Sequence, residues 1–291
     1  MINHIVGGLA LYSLYRVANW ELDSRTLHSG LLSDIVEQSM KNYDTDIIEP
    51  IDRVSIIMPS FNEDKYIERA ASSVREQSII QEYPEYFEFI LVDSQSTDKT
   101  VELARSYVDK IIISPRGKLT ARNLATNQSK GNIIVSTDSD SYYPYHWLNT
   151  LLKPFNDLND DLNHEKNRIV GINGTTFDYE YTRMEGDYYT VKYNIHYRNL
   201  YPNQMIGRNS AYYKHDFYLA GRFPENVNQF NHGVMVREEE MNFGNRLSKL
   251  GKIIFKINAS CVHLGGKKGG CRYGLVDQKE CKEYLFGKER F

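Results

Sequence analysis

The sequence has few of the features that mark membrane-spanning, disulfide-bonded or nucleic-acid-binding proteins. Its 291 residues include only three cysteines and eight prolines, and the formal net charge is −3. An odd number of cysteines without closely spaced pairs argues against a disulfide framework and is typical of a reducing compartment, so we expect a cytoplasmic protein. Because there is no basic excess, we do not expect nucleic acid as a partner.

The apolar stretch near the N-terminus, residues 5–15, is short. A bilayer span needs roughly 20 apolar residues, and no basic segment or small-residue cleavage site marks a signal peptide here. We therefore expect no transmembrane span. Residues 1–50 are predicted to form a helical extension that packs on the main domain, with a peripheral membrane contact as the alternative.

From Arg53 onward, apolar runs of strand length alternate with segments of helical periodicity. Buried strands are predicted at 54–58, 89–92, 111–113, 133–135 and 169–172, and helices are predicted from Asn62, from Thr97, at 119–129 and at 147–155. This alternation predicts an α/β fold with a largely parallel sheet and helices on both faces. After Gly174 the sequence becomes aromatic and irregular, until a predicted helix at 236–250 and a strand at 252–257.

Two carboxylates, Asp138 and Asp140, directly follow the apolar run 133–135 in the segment Ser-Thr-Asp-Ser-Asp. Ligands of open α/β sheets bind at the carboxyl ends of the strands. At that position the two aspartates can share a divalent cation and a ribose, which predicts a metal-assisted reaction of a nucleotide sugar. Two aspartates in a loop are weak evidence by themselves. The flanking segments therefore determine whether this pair belongs to a nucleotide-sugar site.

Polar residues also follow the first two strands. The first strand continues into Pro-Ser-Phe-Asn-Glu, residues 59–63, whose backbone can cradle a nucleotide. The second ends at Asp93, whose carboxylate can accept a hydrogen bond from a uracil N–H. The alternative for Asp93 is simple capping of the following helix.

Four ordered segments together resemble the inverting nucleotide-sugar glycosyltransferases of family 2, which have the GT-A fold. They are residues 54–63, 90–100, 121–125 and 131–140. The resemblance covers about residues 53–265 and says almost nothing about the identity of the sugar. It implies a GT-A (Rossmann-like) α/β domain whose nucleotide-sugar-binding half is 51–175 and whose acceptor-binding half is 176–291.

The resemblance implies roles for individual residues. The implied nucleotide site consists of Pro59, Ser60, Phe61, Glu63, Asp93, Arg122 and Asp138. In this scheme Asp93 contacts the base, Arg122 is a basic contact near the nucleotide, and Asp138 faces the ribose and the metal. Asp140 is the direct metal ligand. The implied cofactor is Mn²⁺ or Mg²⁺, hard cations that prefer carboxylate and diphosphate oxygens.

The candidate general base is Glu240. In the family this region resembles Glu-Asp followed six residues later by Arg-Leu, and counting back from Arg246 places Glu240 at the base position. The sequence departs from the pattern by having Glu where Asp is usual. A carboxylate here can remove the proton of the acceptor hydroxyl. Alternatively, the three glutamates 238–240 near a helix start favour the helix dipole and not all of them are catalytic.

The end of the resembling region carries further candidates. His263 follows the last predicted strand and is either a ligand of the metal or diphosphate, or a structural histidine. Lys267 and Lys268, beside two glycine pairs, form either a mobile lid over the diphosphate or a solvated loop. The segments 209–213 and 220–223 resemble the sugar side of the pocket.

The expected activity is transfer of a sugar, from a UDP-sugar by preference, to an acceptor hydroxyl with inversion. The acceptor is expected to be a glycan, a glycoprotein or a lipid-linked molecule. The alternatives are a catalytically silent nucleotide- or glycan-binding module and a retaining enzyme on the same fold. A pyrophosphorylase is disfavoured because residues 59–63 are not a glycine-rich basic segment. A processive synthase is disfavoured because Gln-x-x-Arg-Trp does not occur.

Overall fold

The computed structural model describes residues 43–50, 52–157, 168–178, 203–224 and 234–264. In these ranges eight strands form one sheet in the order β3-β2-β1-β4-β7-β6-β8-β5. The strands are β1 (Val54–Ser60), β2 (Phe87–Asp93), β3 (Lys110–Ile113), β4 (Ile133–Thr137), β5 (Ser141–Tyr142), β6 (Ile169–Asp178), β7 (Asn209–Tyr213) and β8 (Lys252–His263). The helical prediction for residues 1–42 lies outside the described residues.

Helices pack against both faces of the sheet. They are α1 (Ile67–Arg75), α2 (Ser78–Glu82), a 3-10 turn (Pro84–Tyr86), α3 (Thr100–Ala104), α4 (Lys118–Gln128), α5 (Trp147–Asp157), α6 (Lys214–Leu219) and α7 (Val234–Leu247). The start predicted for the first helix was wrong, because Asn62 has a left-handed φ of 53° that a helical residue does not adopt. None of the helices in the described ranges combines the length and the apolar character that a membrane-spanning segment requires.

The sheet is parallel in one half and mixed in the other. Strands β3, β2, β1 and β4 run parallel to one another. Strand β7 is antiparallel to both β4 and β6, β6 and β8 are parallel, and β5 is antiparallel to β8. The prediction of an α/β fold with helices on both faces is therefore confirmed. The largely parallel character holds for the first four strands.

Strand β1 divides the core between two layers, because successive side chains of a strand point to opposite faces. Ile56 and Met58 belong to one apolar cluster, together with helices α1 and α5. Ile57 belongs to the other, together with α4 and α7. With all seven residues of β1 buried, its polar carboxyl end is fixed at the rim of the sheet.

Residues 43–50 are tied to the main body by hydrogen bonds. The Tyr43 hydroxyl lies 2.7 Å from Ser260 Oγ on β8, and the Asp44 amide donates to Thr150 Oγ1 on α5 at 2.9 Å. The Asn149 side chain donates to the Asp44 carbonyl at 2.5 Å. The end of the predicted extension thus belongs to the same packed unit as the sheet.

Asn209, at the start of β7, joins three strands and a helix. Its side-chain amide donates to the carbonyls of Thr175 on β6 (2.7 Å) and Ala259 on β8 (2.9 Å). Its oxygen accepts from the Trp147 indole of α5 at 2.9 Å. The residue is fully buried, so the mixed half of the sheet depends on a single amide for these three hydrogen bonds.

Asn209→Ala is expected to destabilise the protein by about 3 kcal/mol or more, because a buried polar group left without a partner costs about 1–3 kcal/mol. The measurement is urea unfolding of the purified protein. Tyr218→Phe is the control, since it removes only an exposed hydrogen bond to Asn127 and should change stability by less than about 0.5 kcal/mol. An equally small effect for Asn209→Ala would contradict the central role of this amide.

Candidate functional site

Asp93, at the end of β2, is buried and holds two loops together. Its Oδ1 accepts from Ser60 Oγ at 3.0 Å and from Ser96 Oγ at 2.5 Å, and its Oδ2 accepts from the Ser96 amide at 2.8 Å. The first amide of helix α3, that of Thr100, is bound by Asp98 at 2.9 Å. Capping of the helix is therefore the task of Asp98, and Asp93 stabilises the turn before it.

The loops after β1 and β2 are joined by hydrogen bonds and are locally strained. Asn62 and Gln95 have φ values of 53° and 63°, a left-handed conformation that is uncommon outside glycine and concentrates at functional sites. The Asn62 amide donates to Ser96 Oγ at 2.9 Å, and its Oδ1 accepts from the Thr97 amide at 2.9 Å. The Glu63 amide donates to Thr100 Oγ1 at 2.7 Å.

The remaining predicted nucleotide contacts of this region are placed at the same rim. Pro59 and Ser60 are buried at the end of β1, and Phe61 is half-buried. The Arg116 guanidinium lies over the Phe61 ring, 4.4 Å from its centroid. This rim therefore presents backbone groups, the Asp93 carboxylate and the stacked pair of Arg116 and Phe61 next to one another.

Asp138 is surrounded by cations. Its Oδ1 accepts from Arg122 Nη2 at 2.9 Å and its Oδ2 from Lys118 Nζ at 2.6 Å, while Arg208 Nε lies 3.8 Å from Oδ2. Gly117, directly before α4, has a φ of 136°, a value that favours glycine, and this turn places Lys118 as the first helical residue. Because both oxygens of Asp138 are already paired, Asp140 is the better placed of the two to bind a cation.

Asp140 lies beside His263. Strand β5 pairs Ser141 with His263 of β8, and the Leu264 amide donates to the Asp140 carbonyl at 2.6 Å. As a result His263 Nε2 is 3.1 Å from Asp140 Oδ2. The other oxygen, Oδ1, is buried and accepts no hydrogen bond from the described residues.

The charge state of Asp140 suits a cation. Burial raises the pKa of Asp140, but the hydrogen bond from His263 and the positive charges of His263, Lys118 and Arg208 outweigh burial and lower the pKa below its usual range. An ionised carboxylate with an uncommitted buried oxygen, next to an imidazole, fits Mn²⁺ or Mg²⁺. Across the described ranges, no three His, Cys, Asp or Glu side chains converge, so these two residues would form only part of a coordination shell.

Glu240, on helix α7, is buried and contacts Arg122, which also pairs with Asp138. Its Oε1 accepts from the Gly207 amide at 3.1 Å and from Arg122 Nη1 at 3.5 Å. Its Oε2 accepts from Gln204 Nε2 at 3.3 Å. The side chains of the neighbouring Glu238 and Glu239 lie outside the described residues, as do Lys267 and Lys268.

Burial raises the pKa of Glu240. The charges of Arg122 and Lys118 and the hydrogen bond from Gln204 lower it, the charge of Asp138 raises it, and the net direction is upward. A carboxylate with a raised pKa is a stronger proton acceptor at neutral pH than an ordinary glutamate. The environment of Glu240 therefore favours proton uptake by its carboxylate.

Arg122 is placed differently from a solvent-facing nucleotide contact. Its side chain is fully buried, and its Nε donates to Ser136 Oγ at 3.0 Å in addition to the contacts with Asp138 and Glu240. Four further residues complete this network and were not predicted from the sequence, namely Lys118, Gln204, Gly207 and Arg208. Only the basic character of Lys118 and Arg208 was visible in the sequence, without any indication of their place.

Several bacterial glycosyltransferases are similar in sequence to this chain. Poly(ribitol-phosphate) beta-N-acetylglucosaminyltransferase TarS of Staphylococcus aureus is 31% identical over 98 residues, which are 31% of this chain and 16% of the relative. Glycosyltransferase GlyA of Streptococcus pneumoniae is 26% identical over 165 residues, 54% of this chain and 21% of the relative. The chain therefore matches only about a sixth to a fifth of the length of these two relatives.

Two solved structures share the fold. The mannosyltransferase PcManGT from Pyrobaculum calidifontis, in complex with GDP-Man and Mn²⁺, aligns with a TM-score of 0.55 at 19% identity, over 87% of this chain and 68% of that one. A fragment of S. aureus TarS in complex with UDP-GlcNAc aligns with a TM-score of 0.50 at 17% identity, over 80% of this chain and 64% of that one. The expected GT-A architecture is confirmed by these alignments.

The sequence profile described as "Glycosyl transferase family 2" matches residues 55–221. This range begins in β1, includes the Asp93 loop, Arg122 and both aspartates after β4, and ends beyond β7. The match covers more than half of the chain and contains the motifs on which the resemblance was based. The chain belongs to glycosyl transferase family 2.

Proposed function

We propose that this protein is a metal-dependent glycosyltransferase that moves a sugar from a nucleotide donor, a UDP-sugar by preference, to an acceptor hydroxyl with inversion. The observation that carries the proposal is the position of Glu240, a buried carboxylate with a raised pKa. One guanidinium links it to Asp138, two residues before Asp140. A proton acceptor thus lies beside a site suited to a cation.

The rim of β1 and β2 is proposed to bind the nucleoside. The Asp93 carboxylate accepts hydrogen bonds only, as the N–H of a uracil ring requires, and Ser60 and Ser96 hold it in place. The TarS fragment is a structural neighbour in complex with UDP-GlcNAc, which supports a uridine donor. The GDP-Man complex of the other neighbour makes a guanosine donor the first alternative to test.

Asp140 and His263 are proposed to hold Mn²⁺ or Mg²⁺. Asp140 Oδ1 accepts no hydrogen bond from the part of the chain that the structure describes, and Mg²⁺ in particular is commonly bound by one or two carboxylates together with substrate phosphates. When bound, the cation supplies Lewis-acid neutralisation of the leaving diphosphate. Lys118 and Arg208, whose side chains are 41% and 30% exposed, add positive charge on the same side.

Glu240 is proposed to act as the general base through Oε2. Two donors, the Gly207 amide and Arg122, hold Oε1, while Oε2 accepts, among the described residues, only from Gln204 Nε2 at 3.3 Å. Glu240 takes the proton of the acceptor hydroxyl as its oxygen bonds to the anomeric carbon. The bond from that carbon to the diphosphate oxygen breaks on the opposite face, so the configuration inverts.

Asp140→Asn is expected to abolish the effect of Mn²⁺ on donor binding. A ligand at about 100 times its Kd stabilises a protein by about 2.7 kcal/mol, a rise in Tm of roughly 5–10 °C for a chain of this size. Wild-type protein with UDP and Mn²⁺ should show such a rise, and Asp140→Asn should show little more than UDP alone. Asp46→Asn, an exposed aspartate, should behave like the wild type; an intact Mn²⁺ effect in Asp140→Asn would contradict the metal assignment.

Glu240→Gln is expected to lower kcat by about 10²–10⁴-fold, the usual contribution of a general base, and to leave the Kd for UDP unchanged. UDP, GDP or dTDP release from a panel of nucleotide sugars with Mn²⁺ measures the turnover. Glu102→Gln, an exposed glutamate on α3, is the matched control. Tight donor binding without turnover in the wild type would identify a binding module, and a retained anomeric configuration would refute inversion.

The kcat of the wild type is expected to fall on the acid side as Glu240 takes up a proton. Because burial raises the pKa of Glu240, this fall should lie at a higher pH than for an ordinary glutamate. The Gln204 hydrogen bond lowers that pKa, so Gln204→Leu should move the acidic limb to still higher pH. A pH profile of kcat at saturating donor measures both; an unmoved limb in Gln204→Leu would assign the titration to another group.

A further inference from the structure

Arg122 contacts carboxylates on both sides of the candidate site. Its Nη2 lies 2.9 Å from Asp138 Oδ1 and its Nη1 lies 3.5 Å from Glu240 Oε1. The first carboxylate follows β4 and belongs to the donor half, and the second is on α7 in the acceptor half. A single side chain from α4 thus spans the boundary between the two halves.

The guanidinium of Arg122 is held in a closed environment. Its side chain has no exposed surface, and its Nε donates to Ser136 Oγ at 3.0 Å. Ser136 Oγ in turn donates to the Gly207 carbonyl at 2.5 Å, and the Gly207 amide donates to Glu240. All three nitrogens of the guanidinium are therefore engaged within the protein.

Gly207 packs directly on the guanidinium. A Cβ atom at this position would overlap the Cζ and both Nη atoms of Arg122. Any larger residue would have to push the guanidinium away from one of its carboxylates. The absence of a side chain at residue 207 is thus a geometric requirement of the network, separate from any need of the backbone for glycine.

The chemistry of arginine explains why one residue can fix two carboxylates. The guanidinium is planar, carries its charge at all relevant pH values, and presents its donors in a rigid fork. A lysine ammonium is a point charge on a flexible stem and cannot reproduce two separate contacts in one plane. The relative position of Asp138 and Glu240 therefore depends on the rigid guanidinium of Arg122.

We propose that Arg122 is a positioning residue, which sets the place of Glu240 relative to Asp138 and does not bind the nucleotide. This rests on the proposed function, in which Asp138 belongs to the donor side and Glu240 is the base. The enclosure of the guanidinium supports it, because a nucleotide has no exposed nitrogen of Arg122 to contact. Arg122 then acts on the reaction through Glu240.

The experiment compares Arg122→Lys and Gly207→Ala with the wild type. We expect kcat to fall by about 10–100-fold in both variants, since a misplacement of about 1 Å can cost about 10²-fold. The Kd for UDP with Mn²⁺, measured by calorimetry, should change by less than about threefold, because under this proposal Arg122 contributes nothing to the affinity for the nucleotide. Gly207→Ala keeps the arginine and its charge, so it tests position separately from charge.

Arg75→Lys is the matched control. Arg75 also pairs with a carboxylate, that of Asp109, and it donates to the Tyr107 carbonyl. This pair lies where β3 begins, at the end of the parallel strands opposite to the site. Its kcat and its Kd for UDP should equal those of the wild type. A raised Kd for UDP with an unchanged kcat in Arg122→Lys would identify Arg122 as a nucleotide contact and overturn the proposal. A loss of kcat explained entirely by the unfolded fraction would reduce Arg122 to a structural residue.

A second readout does not depend on turnover. In a double-mutant cycle of Arg122→Lys and Glu240→Gln, the effects on the unfolding equilibrium constant should depart from multiplicativity by at least about threefold, as for residues in direct contact. If the wild type turns over no nucleotide sugar, the proposed function fails, and the cycle still decides whether Arg122 holds Glu240. Multiplicative effects would overturn the positioning role.

Discussion

The buried charge of Arg122 is the constraint on which the arrangement of this site depends. Removing a guanidinium from water costs several kcal/mol unless its donors find acceptors, and taking away one partner of a buried ion pair leaves a charge uncompensated. Ser136, Asp138 and Glu240 supply those acceptors. Helix α4, the end of β4 and helix α7 must therefore keep their mutual positions for the interior to remain neutralised.

The parallel half of the fold could be predicted from the sequence because its strands are continuous apolar runs. Strands β1, β2 and β4 were expected within a few residues of their actual bounds, and with them the edge where Asp93 and Asp138 lie. Strand β8 was expected to end at Ile257 and continues to His263. Its last residues have no strand-like apolar run, and their pairing with β6 and β5 is a tertiary effect.

The candidate site could be predicted only in part, for a related reason. Asp138, Asp140 and Glu240 were found because they stand in recognisable segments, and their roles remain proposals. Gln204 and Gly207 were missed because each is defined by a contact with Glu240, more than thirty residues later in the chain. A lone glutamine or glycine in an irregular segment carries no local pattern that would indicate such a partner.

The reversal of direction between β4 and β7 determines from which end of a strand each group enters the site. Thr137, the last residue of β4, pairs with Asn209, the first residue of β7. The chain leaving β4 and the chain entering β7 consequently meet at one edge of the sheet. Groups assigned to the donor follow their strands, whereas Gln204 and Gly207 precede theirs. A change in the stretch upstream of β7 therefore alters the surroundings of Glu240 without lengthening or shortening the loops that carry Asp93, Asp138 and Asp140.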